Sequence, residues 1–448
     1  MIVHTKGFKI NSQDSNDEDT LVFAFQLTRH GARSPYITVK EPNITTNWNQ
    51  GLGQLTNIGE RQHYLLAKKH RKKLIEQTKL LSPTFNPKEI YIVSTDVNRT
   101  IMSAYSEITS WYPLGTGKSF QTGGERDKAL PPFPISDKEK ILSILKDSPT
   151  MGGFQPIPIH VSQEIDQLLR AMDPPVCPVV SSFEDSARKE ADFLKINEKY
   201  KDNILKSLKE NWGIKEDLDI FSAKKYTDTY YAAMFDQRPI NSTYKLDETK
   251  FDAILAEQFY YVTFYYDEMV RIASHKFLNF LYTLFDSKIK SISTGQDDGT
   301  GIKERKLVYF SAHDSTVAAI MSGIEQKQLL QPFYAIPIFI ELWKKAGTQG
   351  KDPKDYYVNF LYNDKSINVN GTCTQSGSTY KCDYSKFKEF LQYRQYQGDW
   401  DQACQGIIVE PAYFGKWYII AGVSAGILTF GAFGYFMLKK LMFTPKEA

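Results

Sequence analysis

The stretch Leu21–Pro35, LVFAFQLTRHGARSP, places the tightest limit on the fold. Its first part, LVFAFQL, reads as a continuous apolar run, the signature of a strand covered on both faces. Such a strand needs a layer of helices on each side, so its end lies near the interior. Yet Arg29, His30 and Arg33 follow at once. Either they form a basic surface turn, or they await a ligand with several negative charges.

Two further segments repeat the arrangement. EIYIVS (89–94) reads as a strand followed by STDVNRTIMSAYSEI, which opens a helix and carries Arg99. A third strand begins at Lys306–Phe310 and ends in SAHDST, with His313 and Asp314. GERQHYLLAKKHRKKLI (59–75) reads as a basic amphipathic helix between the first two strands. The middle, roughly 120–300, has clustered prolines (131, 132, 134; 156, 158; 174, 175, 178) and polar helical stretches. It is expected to be an inserted helical cap, with a long aromatic-rich helical region at 254–289 and an exposed loop at 291–301. Strands separated by helices predict an α/β fold whose central, mainly parallel sheet is flanked by helices. The domain is expected over 20–410, after a polar, acidic lead-in at 1–19.

In open α/β sheets, ligands sit beyond the carboxyl ends of the strands. Three such ends would gather Arg29, His30, Arg33, Arg99, His313 and Asp314. Three guanidiniums and two imidazoles would be ruinous in an empty core, but they suit a phosphate dianion, which a guanidinium matches with a planar fork of donors. A neutral imidazole can attack the phosphorus, since its ordinary pKa is about 6.5. Asp314 is the candidate proton donor to the leaving group, which predicts better turnover in acid or a raised carboxyl pKa. As a helix N-cap it would have a structural role as well. The arginines supply the charge neutralisation, so neither metal nor cofactor is expected. His160 could line the pocket, but structure is favoured. His63, His70, His275 and Glu341 read as ordinary surface or core residues.

Lys and Arg number 55 against 52 Asp and Glu, a net charge of +3, which offers nucleic acid no basic surface. The four cysteines form no CxxC pair, which argues against zinc or redox chemistry and fits two disulfides in an oxidising compartment. From counting alone, three pairings are open. Trp417–Leu438 is uncharged and long enough to cross a ~30 Å hydrocarbon core at ~1.5 Å per residue, with the basic tail 439–448 beyond it. The positive-inside rule makes this a single-pass type I anchor with a cytosolic tail and a lumenal or extracellular domain. Sequons at Asn43, Asn241 and Asn370 agree. The segment after Met1 has no apolar leader core, so this topology implies a further N-terminal segment.

TRHGARSP carries the RHGxRxP pattern of the histidine acid phosphatases, the second branch of the histidine phosphatase superfamily, and SAHDST resembles their HD motif. GQLTNIGERQHYLL (53–66), STDVNRTIMSA (94–104), FQPIPIH (154–160) and PFYAIPIFIELW (332–343) resemble family segments in the family's order. The resemblance spans roughly 20–410 and extends to the layout of membrane-anchored lysosomal and prostatic-type members. It implies a phosphoglycerate-mutase-like fold and an acid phosphatase acting on phosphate monoesters through a phosphohistidine. By position, His30 is the implied nucleophile, Arg29, Arg33, Arg99 and His313 the phosphate ligands, and Asp314 the proton donor. The resemblance also implies disulfides Cys177–Cys404 and Cys373–Cys382, and a homodimer. Alternatives are a phosphatase specialised for lysophosphatidic acid or inositol phosphates, or an inactive anchored ectodomain; the intact six-residue set argues against the last. One departure is Asn98, where the family commonly has Asp. Its formal sequon is expected to be buried near the site and unmodified.

Overall fold

The computed structural model describes residues 18–37, 39, 48–238, 248–326 and 332–407. Its sheet contains β1 (Thr20–Arg29), β2 (Ile90–Ser94), β3 (Leu307–Ala312), β4 (Pro337–Lys344), β5 (Tyr356–Tyr362), β6 (Lys365–Ser366), β7 (Cys373–Ser376) and β8 (Thr379–Asp383). The strand order is β2-β3-β1-β4-β5-β8-β7, with β6 paired to β5.

The apolar run forms β1, and both of its faces are covered. Phe23, Phe25 and Leu27 pack into one core layer with Phe277, Phe280 and Leu281 of the helix Asp267–Thr294. Phe25 meets Phe310 edge-on, with centroids 5.1 Å apart. On the opposite face, Ala24 joins Ala67, Ile108, Trp111 and Tyr309 beneath the helices Asn57–Arg71 and Asn98–Trp111. This second face is not wholly apolar. Buried Glu107 accepts hydrogen bonds at 2.8 Å from Gln26 Nε2 and His63 Nδ1, so its carboxylate is paired with two donors inside the core. His63 is therefore a paired core residue.

The sheet is mixed rather than mainly parallel. β1–β3 and β2–β3 run parallel, while every pairing from β4 outward is antiparallel. The physical reason lies in the connections: parallel neighbours require a crossover, whereas short turns join antiparallel ones. Asn363 and Asp364, at φ 49° and 60°, link β5 to β6 in the left-handed region that a tight hairpin needs. Gly377, at φ 61°, does the same between β7 and β8.

Between β2 and β3, where the sequence suggests an insertion, the chain is largely helical. Part of it has its own core, including Phe193, Tyr200, Trp212, Tyr226 and Tyr230. Cys177–Cys404 ties this insertion to the short helix Trp400–Cys404, and Cys373–Cys382 joins partners in register across β7 and β8. These are the pairings the resemblance implied. Residues 295–301 form the expected loop, mostly exposed, but 291–294 do not belong to it. The helix continues to Thr294, and Asp297 then accepts backbone N–H groups of Gly299, Gly301 and Lys303. Asn370 lies exposed in a turn. Asn43, Asn241, most of the acidic lead-in and the segments 417–438 and 439–448 fall outside the described residues. Among the described residues, no helix is long and apolar enough to cross a membrane.

His275, on the helix Asp267–Thr294, is 7% exposed, and its Nδ1 has no hydrogen-bond partner. Burial, then Lys276, lowers its pKa from 6.5 to about 4. The unfolded chain therefore takes up this proton first. Stability is complete above pH 6.5 and is lost as pH falls towards 4, by up to about 3 kcal/mol. In thermal unfolding across that range, the decline in Tm should be smaller for His275→Leu than for the wild type.

Candidate active site

Register brings the three motifs together. Parallel pairing sets Arg29 opposite Ala312 and Ser94 opposite Ser311, so β1, β2 and β3 end side by side. His30 N–H donates to Ala312 O at 2.9 Å, fixing the turn immediately beyond β1. The next residue must be glycine. A Cβ on Gly31 would lie 2.4 Å from Gly59 O, because this turn is pressed against the start of the helix Asn57–Arg71.

A cavity of about 270 Å³ opens at these strand ends, lined by Arg29, Arg33, Arg99, His313 and Asp314. His30 is buried beside it, its ring 5.6 Å from that of His313. All six residues singled out in the sequence therefore meet.

Hydrogen bonds define the two imidazoles. His30 Nδ1 lies 2.9 Å from Gly31 O, which can only accept, so Nδ1 carries the proton and Nε2 keeps its lone pair. Burial, then Arg99, Arg29 and Arg33, hold His30 well below the ordinary histidine pKa. It is neutral at mildly acid pH. His313 Nδ1 faces Arg99 Nη2 at 3.2 Å and must accept, so its Nε2 donates to Thr95 Oγ1 at 2.9 Å. Burial, then Arg99, likewise keep His313 neutral.

Each arginine is held by the protein through its terminal nitrogens. Arg29 reaches Asp314 at 2.8 Å and Pro332 O, and its guanidinium lies 4.2 Å from the Tyr334 ring centroid. Arg33 makes a two-pronged contact with Asp228, at 2.7 and 3.2 Å. Arg99 reaches His313 and Gly53 O. In all three, the buried Nε has no hydrogen-bond partner among the described residues. Burial, then Arg33, lower Arg99 to about 10. Burial opposes the charge on Arg33, but Asp228 more than offsets it and raises its pKa.

Asp314 is the first residue of the helix Asp314–Gly323, with His313 at the N-cap. The cap reading of Asp314 thus moves back one residue, and its carboxylate sits where the helix dipole favours negative charge. Burial would raise its pKa, but Arg29, then Arg33 and His313, hold it well below the usual carboxylate range.

The sequence matches the profile of the histidine phosphatase superfamily (branch 2) over residues 20–363. The chain belongs to this superfamily. It is 27% identical to rat (Rattus norvegicus) prostatic acid phosphatase over 407 residues, covering 88% of this chain and 91% of the relative. It is 26% identical to lysosomal acid phosphatase of Xenopus laevis, covering 86% and 79%. In fold it resembles Hafnia alvei phytase solved with tartrate, with TM-score 0.58 and 14% identity over 86% of this chain and 98% of that one.

Several lining residues of this histidine phosphatase went unnoticed in the sequence: Tyr36, Arg170, Asp173, Lys224, Asp228, Tyr231, Leu255 and Phe259. Most lie in the insertion, where nothing separates them from ordinary helical residues. Thr95, in STDVNRT, holds His313 Nε2 at 2.9 Å, a role its sequence context does not signal. One expectation changes. Asn98 is exposed rather than buried, beside Gln54 Oε1 at 3.3 Å, so burial does not shield its sequon. His160 stacks on Tyr91 with centroids 4.5 Å apart and does not line the cavity, as the structural reading held.

Thr95→Val should leave the buried His313 Nε2–H without an acceptor, at about 1–3 kcal/mol. A lower Tm and weaker phosphate binding are expected, with Thr95→Ser restoring most of both.

Proposed function

We propose that the protein is an acid phosphatase that hydrolyses phosphate monoesters through a phosphohistidine. The observation that carries this reading is the set of three buried guanidinium Nε–H groups without partners, beside a neutral histidine whose Nε2 keeps its lone pair. Arg29, Arg33 and Arg99 bind the phosphoryl oxygens, and His313, whose Nδ1 accepts from Arg99 Nη2, steadies that guanidinium. His30 Nε2 attacks phosphorus as the ester P–O bond breaks, and Asp314 gives its proton to the departing oxygen. Water then attacks the phosphohistidine, releasing inorganic phosphate and regenerating neutral His30 and protonated Asp314. The named acid phosphatase relatives support the same reaction.

Cavity charge favours singly phosphorylated esters over polyphosphorylated inositols. Five lining cations (Arg29, Arg33, Arg99, Arg170, Lys224) against three carboxylates (Asp173, Asp228, Asp314) leave a net +2, the complement of one phosphate dianion. Tyr231, Leu255 and Phe259 supply an apolar wall for the leaving group, which suits a lipid-like ester such as lysophosphatidic acid. Relatives named lysosomal acid phosphatase support a lumenal or extracellular domain; in that setting the uncharged segment 417–438 would serve as its anchor and exposed Asn370 as a glycan acceptor.

Hydrolysis of an aryl phosphate between about pH 4 and pH 8 tests the reaction. His30→Ala should fall to background. Asp314→Asn should lose about 10²–10⁴-fold on an alkyl phosphate and less on the aryl ester, whose leaving group needs no proton. Activity retained in His30→Ala would refute the mechanism.

A further inference from the structure

A carboxylate within a phosphate cavity works against the charge of its ligand, and Asp228 is such a group. It projects from the helix Lys224–Phe235 of the insertion, with its side chain 12% exposed, and lines the cavity. Its Oδ1 accepts from Arg33 Nη2 at 2.7 Å. Its Oδ2 accepts from Arg33 Nη1 at 3.2 Å and from the Tyr36 backbone N–H at 3.1 Å. Both terminal nitrogens of Arg33 are therefore engaged, and the donors left for a ligand are the buried Nε–H and the second hydrogen of Nη2. The sequence suggested that Arg33 would offer phosphate a fork; the geometry gives that fork to Asp228.

We propose that Asp228 is a positioning residue with a second effect: it fixes the Arg33 guanidinium while its charge weakens the hold on phosphate, so that product leaves. This rests on the phosphatase reading above. Two consequences can be separated. The charge opposes every bound dianion, substrate or product, and so raises both KM and the inhibition constant of inorganic phosphate. The two-pronged geometry keeps Arg33 aligned during the reaction and so supports kcat. Loss of the carboxylate would take the cavity from net +2 to +3, since the lining cations stay in place.

The test compares wild type with Asp228→Asn and Asp228→Ala, titrating each with inorganic phosphate by calorimetry and measuring competitive inhibition. Both variants should bind phosphate about tenfold more tightly, the scale of one lost charge repulsion in a partly hydrated site. KM should fall in step. Because Asn retains one oxygen to accept from Arg33, kcat should fall further in Asp228→Ala than in Asp228→Asn. A merely structural role predicts the opposite sign, since a disturbed cavity binds phosphate more weakly. Equal or weaker phosphate binding in both variants overturns the inference. If that result comes with His30-dependent turnover in the wild type, the phosphatase reading survives and this inference alone fails. Absence of phosphate binding and turnover in the wild type would sink both.

Discussion

The site depends on the parallel register of three strands. β1, β3 and β2 share a direction, and Arg29, Ala312, Ser311 and Ser94 are matched residue for residue. Motifs more than two hundred residues apart therefore end on one line. A one-residue slip would turn each side chain to the other face of its strand. The aromatic packing of Phe25, Phe280 and Phe310 opposes that slip on one face, and the Gln26–Glu107–His63 network opposes it on the other. Core packing is thus what aims the chemistry, and the antiparallel strands from β4 outward extend the platform without adding a side chain to the cavity lining.

Crowding of cations is the second constraint. Three arginines on one cavity would repel one another if nothing held them. The protein answers with acceptors of its own: Asp314 and Pro332 O for Arg29, Asp228 and Ser34 O for Arg33, Gly53 O for Arg99. Arginine suits this task because its five donors can be divided between the scaffold and a ligand, which lysine's compact ammonium cannot do with the same geometry. The two histidines contribute by staying neutral, each fixed in one tautomer by a neighbour that can only accept or only donate. The guanidiniums are thereby preorganised donors, already oriented before charge develops.

How much of this was legible in the sequence follows from the range of the interactions. β1, β2 and β3 were readable because a strand covered on both faces must be apolar throughout, and the six polar residues stood out because they interrupt the chain where such strands end. Gly31 was part of the quoted motif, but its reason, the backbone of Gly59 at contact, is a tertiary fact. The mixed sheet was missed although its turns were visible: Asn363–Asp364 and Gly377–Ser378 are short-hairpin signals, and two parallel pairs had been generalised to the whole sheet. Asp228 carried no signal at all. It is a helical aspartate between two threonines, and only the packing of the insertion against the sheet gives it Arg33 as a partner. His313 and Asp314 were legible as a pair, but which of them caps the helix was settled by backbone geometry.

The state of Asp314 links these threads. Its ion pair with Arg29 keeps the carboxyl ionised in the absence of a phosphate, whereas a proton donor must be protonated. The two requirements are compatible if the ligand itself alters the balance. A phosphate dianion among Arg29, Arg33 and Arg99 offsets the same charges that depress the carboxyl, so on the proposed reading substrate binding raises the affinity of Asp314 for a proton. The same offset acts on His30, and burial, the largest cause of its lowered pKa, is what then continues to oppose its charging. An acidic optimum follows from that electrostatic arrangement rather than from the ordinary pKa of either residue.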